Sequence, residues 1–279
     1  MPAPVARRQL IDLDFDSRLL VGNPLGDPAL RRFPVYLPPQ YDREPDRRFP
    51  VAWYLAGYGG WGENKVRGGR AWSESLPDRF DRLMATGDVE PMLIAFPDCF
   101  TRFGGSQYRN SPSTGRYEDY LIEELVPHVD ATLRTLPLAS ARAVMGKSSG
   151  GYGAMVLGMR HPDVFSMVCS TAGDSHFQLT VPADLGKAFQ VWRDHGGPAA
   201  FVDHFFAKDG PSGREVGAMM IIAYAQVYSP NPSVPGYGAD LPIDTETGEI
   251  VDSVWQRWLA NDPIRMVGDH VDALRSLRL

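Results

Sequence analysis

A chain of 279 residues with 43% hydrophobic side chains can bury one sizeable core, so a single domain over 1–279 is expected. Its formal net charge of -6, from 34 acidic and 28 basic residues without long like-charge runs, offers no footprint for nucleic acid or an anionic membrane. Small-molecule chemistry is the remaining expectation. Cys99 and Cys169 lie in apolar stretches outside any CxxC or Cys/His metal pattern, which reads as two buried, reduced thiols. The first residues carry Arg7 and Arg8 but no apolar signal-peptide core, and the longest apolar run, 216–225, is about half a bilayer span. A cytoplasmic protein without a membrane partner is expected.

In chain order, β-rich runs at 9–21, 33–37, 49–55, 91–96, 141–145 and 165–171 alternate with helical segments, which predicts an α/β fold with a mostly parallel central sheet. The last three runs are continuously apolar, as expected for strands covered on both faces. Between the fourth and fifth, Leu121, Ile122, Leu125, Val126, Val129 and Leu133 share one face of a helix over 117–136. Another helix, 153–160, follows the fifth strand and stops at His161-Pro162. The stretch 175–260 breaks the alternation with Phe177, Phe189, Trp192, Phe201, Phe205, Phe206, Tyr224, Tyr228, Trp255 and Trp258 among loops. It reads as a helical cap inserted after strand six. Most of these aromatics are expected in the cap's own core, with a few facing an apolar substrate pocket.

The most specific signal is Gly146-Lys147-Ser148-Ser149-Gly150-Gly151, a GxSxG placed directly between a strand and a helix. Such a turn strains the backbone at the serine and needs small neighbours, so Ser148 is expected exposed at the carboxyl end of the sheet as a nucleophile. The phosphate-loop spacings GxxxxGK[ST] and GxGxxG are absent around it. Acyl transfer also needs donors aimed at a developing oxyanion. The third strand runs into Ala56-Gly57-Tyr58-Gly59-Gly60, and the backbone N–H groups of Tyr58 and Ser149 are assigned to that oxyanion hole.

Val35-Tyr36-Leu37-Pro38-Pro39 with Tyr41, Leu55-Ala56-Gly57-Tyr58-Gly59-Gly60, Gly105-Ser106-Gln107-Tyr108, Glu123-Glu124-Leu125-Val126-Pro127 and the serine motif together resemble the "Putative esterase" family of α/β hydrolases. That family includes S-formylglutathione hydrolases of the esterase D type, feruloyl and enterochelin esterases and mycolyltransferases. The resemblance covers about 31–172 and departs at Ala56, where the family usually carries histidine or serine. It implies an α/β-hydrolase fold and a serine carboxylic-ester hydrolase working through an acyl-enzyme at Ser148.

In this fold the triad acid follows strand seven and the histidine strand eight. Only six strands can be drawn before the pattern ends in Leu274-Arg275-Ser276-Leu277-Arg278-Leu279, so the resemblance implies that strands 7 and 8, the acid and the histidine lie past Leu279, and that these residues alone are inactive. Asp174 and His270 are the in-chain alternatives. Two other readings stay open, a non-catalytic relative that binds or scaffolds, and an acyltransferase on the same fold. Serine acyl transfer calls for no cofactor and no metal. The acidic run 244–249 lacks calcium-loop spacing and reads as a solvated turn. The expected partner is a small-molecule ester, with no nucleic acid and no membrane, and the sixth strand's edge invites a second copy of the chain or a C-terminal fragment.

Overall fold

The computed structural model describes residues 8–67, 72 and 74–278. Among these, eight strands occur: β1 Gln9–Asp16, β2 Leu30–Leu37, β3 Val51–Leu55, β4 Leu93–Ala95, β5 Asn110–Ser111, β6 Gly115–Arg116, β7 Arg142–Lys147 and β8 Met167–Thr171. Six build the central sheet in the order β1-β2-β4-β3-β7-β8, and β5 and β6 form a separate small hairpin. The β4-β3-β7-β8 half is parallel, while β1 and β2 pair antiparallel to each other and β2 antiparallel to β4. The sheet is therefore mostly parallel, as the alternation of strands and helices predicts. β1 stops at Asp16 rather than 21, because the chain turns at Ser17–Gly22, with Gly22 at φ 68°.

Burial along the strands corrects one expectation. β4 is buried at each residue, but β8 is exposed at Cys169, Ser170 and Thr171, so it is not covered on both faces. It lies outermost in the sheet, and beyond it a single parallel bridge joins Met167 to Arg278, with the Arg278 N–H donating to Ser166 O at 2.8 Å. Cys169 is accordingly exposed rather than a core thiol, whereas Cys99 is buried.

The segment expected as one helix over 117–136 is an α-turn at Tyr117–Asp119, a π-helical stretch at Tyr120–Leu125 and an α-helix at Val126–Thr132. Pro127 has no N–H to continue the ladder, and the Val126 N–H reaches back to Leu121 O, one residue wider than an α-helix allows. Its apolar face packs under the sheet with Phe33, Val35, Trp53 and Val144.

The helix Ser149–Arg160 begins at once after Ser148, four residues earlier than the periodicity suggests. Ala154 and Leu157 face the sheet core, while Tyr152, Val156 and Met159 join a second core built by the helices Pro182–Asp194, Pro198–Ala207, Gly213–Tyr228 and Asp252–Leu259. A helix apolar on nearly all sides is what such sandwiching requires. Trp192, Phe201, Tyr228 and Trp258 fill that second core, and Phe206 is 40% exposed.

The far end of this helix is clamped by charge. Glu118, with a 3% exposed side chain, accepts from Arg160 Nε at 2.6 Å and Arg109 Nε at 3.2 Å, and lies 2.8 Å from His161 Nε2. Burial alone would raise its carboxyl, but the bonds from His161, Arg160 and Arg109 outweigh it and hold it down at about 2. A depressed carboxylate contributes stability above its unfolded value, near 4.3, which is lost as pH falls toward about 2. The urea midpoint should therefore drop more steeply between pH 5 and 3 in the native chain than in Glu118→Gln. Equal slopes would refute this role.

Candidate active site

The register of the sheet brings two loops together. Leu55 pairs with Gly146 and Lys147 with Thr171, so β3, β7 and β8 end side by side at the carboxyl edge, where open α/β sheets place their ligands. Ser148 stands there at φ 56° and ψ −126°, a conformation that residues with a Cβ rarely hold. Its N–H donates to Thr171 O at 3.1 Å and its carbonyl accepts from Tyr152 N–H at 2.9 Å, fixing it between β8 and the helix. The flanking glycines answer a steric need. A Cβ on Gly146 would lie 2.4 Å from Gly150 O, and one on Gly150 would lie 2.1 Å from Leu55 O. Lys147 is exposed.

The turn after β3 lies against the serine, since a Cβ on Gly57 would stand 3.4 Å from Ser148 Cβ. Inside it the Gly59 N–H donates to Gly104 O at 2.8 Å and the Gly60 N–H to Gly57 O at 2.9 Å, bonds that do not involve the Tyr58 N–H. Tyr108 donates its hydroxyl to Ala56 O at 2.6 Å, and Tyr58 donates to Phe103 O at 2.8 Å. Tyrosines thus orient a turn whose residue 56 is alanine.

Ser149 sits on the first turn of the helix, where backbone N–H groups lack intrahelical partners. Its side chain enters a polar cluster that contains Asp174, the in-chain alternative for the acid, together with Tyr224. Tyr224 donates to Asp174 Oδ2 at 2.9 Å and, having one proton, accepts from Ser149 Oγ at 2.9 Å; Asp174 Oδ2 is also 3.4 Å from Ser149 Oγ. Burial raises the Asp174 carboxyl above its ordinary value, opposed by hydrogen bonds from Tyr224, Ser149 and Gln107. Gln107 also donates to the Tyr228 hydroxyl at 2.7 Å. Gln107, Tyr108 and Ala172 are left-handed at φ 50°, 56° and 47°, so non-glycine backbone strain gathers around Ser148. The segment after Asp174 is pinned by buried Asp262, which accepts from the His176 N–H at 2.9 Å and the Phe177 N–H at 2.7 Å.

All six histidines lie within the described residues, and none hydrogen-bonds Ser148. His128 packs on Phe15, His161 bonds Glu118, His176 is exposed, His195 and His204 lie beside Glu215, and His270 ends the short 3-10 turn Val267–His270. Gln107 was visible only inside the GSQY motif. Tyr224 carried no signal of its own, because an aromatic in a long apolar helix reads as core.

A strained serine between strand and helix at the carboxyl edge of a mostly parallel sheet defines an α/β fold of the esterase type. The chain belongs to the family described as "Putative esterase", whose model matches residues 29–279, well past the 31–172 over which its motifs are recognisable. An endo-1,4-beta-xylanase/feruloyl esterase of Xylanibacter ruminicola is 28% identical over 137 residues, 47% of this chain and 18% of that protein. The chain therefore matches less than a fifth of that relative's length. The structure of a ferulic acid esterase superposes with a TM-score of 0.51 over 60% of both chains at 24% identity. An S-formylglutathione hydrolase from Agrobacterium tumefaciens, 16% identical, covers 91% of this chain and 83% of its own with a TM-score of 0.46.

Proposed function

We propose that this protein is a serine carboxylic-ester hydrolase that forms an acyl-enzyme at Ser148. The observation that carries this reading is the strained backbone of Ser148, set between the Gly57 turn and the start of a helix. Ser148 Oγ attacks the ester carbonyl and its proton passes to a general base. The carbonyl oxygen becomes an oxyanion held by the N–H groups of Tyr58 and Ser149. The tetrahedral intermediate expels the alcohol, which takes up the proton, and water then releases the acid from Ser148.

In this reading the helical layer after β8 is the cap, and Tyr224 is its point of contact with the site. The Ser149–Tyr224–Asp174 bonds orient the first turn of the helix and with it the Ser149 N–H. The names of the xylanase/feruloyl esterase and the ferulic acid esterase support an aromatic acid as the acyl part, and Tyr58 and Tyr224, edge to face at 6.3 Å, offer rings for it to pack on.

The test is to trap the covalent intermediate. The protein is incubated with a short-chain nitrophenyl ester, quenched in acid and mapped by peptide mass spectrometry. One acyl group on the peptide bearing Ser148 is expected. An adduct confined to other residues, or none at Ser148, overturns the proposal.

A further inference from the structure

Away from the proposed catalytic site, three helix ends of the helical layer meet at a mixed nitrogen and oxygen cluster. His195 caps the C-terminus of Pro182–Asp194, His204 lies in the last turn of Pro198–Ala207, and Glu215 is in the first turn of Gly213–Tyr228. One ligand atom from each falls within 4.8 Å of the others. Glu215 Oε1 lies 3.3 Å from His204 Nε2 and 3.9 Å from His195 Nε2. Ligands on a zinc ion with bonds of about 2.0–2.1 Å in a tetrahedron stand about 3.3 Å apart, so small side-chain movements close this set around an ion.

Each donor is also held ready. The Nδ1 of His195 lies 2.8 Å from the carbonyl oxygen of Val191, which can only accept, so Nδ1 carries the proton and Nε2 of the neutral ring keeps its lone pair toward the cluster. Glu215 is anchored through its other oxygen, Oε2, which accepts from the Ser212 N–H at 2.6 Å in a capping box. The Glu215 side chain is 8% exposed, and His204, at 43%, leaves a path for an ion to enter.

We propose that His195 Nε2, His204 Nε2 and Glu215 Oε1 bind one divalent transition-metal ion of the zinc class, leaving a fourth position for water. Two imidazoles and a carboxylate match that class better than the all-oxygen sets of magnesium or calcium. The ion ties together three helices, and one of them, Gly213–Tyr228, carries Tyr224 about two and a half turns beyond Glu215 on the same rigid rod, so the site is structural. Lys208 is its competitor: Nζ sits 3.0 Å from both Glu215 oxygens and supplies the positive charge that the ion would bring. Metal entry displaces the Lys208 ammonium to solvent, where its 39% exposed side chain can follow.

The test is a calorimetric titration of chelator-treated protein with zinc chloride, alongside melting curves with and without zinc. The native chain should bind one zinc ion per chain at micromolar or lower concentration and melt at a higher temperature. His195→Gln and His204→Gln should each weaken binding at least tenfold with unchanged melting in the absence of metal. Lys208→Gln should tighten it several-fold, an effect that a merely structural ion pair would not give. Cys169→Ser, which removes the exposed thiol, should leave binding as it was. No zinc binding at 100 µM, native affinity in either histidine variant, or weaker binding in Lys208→Gln would overturn the proposal.

Discussion

In a preparation that turns over a short-chain nitrophenyl ester, Ser148→Ala should lower kcat by roughly 10³-fold or more while the melting temperature stays within about 2 °C. The two halves of this expectation have separate causes. The hydroxyl is the bond-forming group, so nothing replaces it in acyl transfer. The fold does not lean on it: no hydrogen bond of Ser148 described above uses its side chain, and its N–H and carbonyl bonds to Thr171 and Tyr152 remain in the alanine variant. The φ of 56° strains alanine as it strains serine, so the backbone term cancels in the comparison. Residual activity would report binding and the oxyanion donors alone. A rate within tenfold of the native one would place the chemistry elsewhere.

The elbow was legible because its requirements are local. A GxSxG between an apolar run and a helix states the turn, the strain and the glycines in six consecutive residues, and Gly146 and Gly150 meet the backbone contacts that the motif implies. The turn at 56–60 was legible for the same reason. The meeting of Tyr224 with Asp174, a residue the sequence offers only as an alternative acid, was not, since fifty residues separate them and their contact at Ser149 depends on how the helix Gly213–Tyr228 docks. The exposed face of β8 was misread because Phe165–Thr171 is apolar enough for a covered strand, and only the strand order shows that it lies outermost. Likewise, the π-helical stretch at Tyr120–Leu125 keeps the apolar spacing of an α-helix closely enough that Pro127 alone hinted at the break. Spacing reports which residues are apolar, and the sheet order decides which of them are covered.

Gly150→Ala should cost about 3 kcal/mol or more, a loss that Gly→Ala inside a helix ordinarily reverses in sign. Glycine is about 1 kcal/mol worse than alanine in a helix interior, so the substitution alone would stabilise. At position 150 the added Cβ would lie 2.1 Å from Leu55 O, 2.7 Å from Leu55 C and 2.8 Å from Ala56 O. These are backbone atoms at the end of a central strand and cannot rotate away, so the helix must lift from β3 or the turn after it must shift. Overpacking of this kind typically costs 1–3 kcal/mol, and more when neither side can yield. Gly217→Ala is the internal comparison, because it lies on the helix Gly213–Tyr228 with nothing beyond its chain neighbours and the helix's own backbone within 4 Å of the new Cβ, and it should stabilise by a few tenths to about 1 kcal/mol. Urea unfolding of the two variants reads the difference directly. Since Ala56 begins the turn beside Ser148, Gly150→Ala should also depress ester turnover in the fraction that remains folded. A Gly150→Ala protein as stable as Gly217→Ala would mean that β3 and the start of the helix do not meet as closely as described, and the placement of Ser148 between them would fall with that contact.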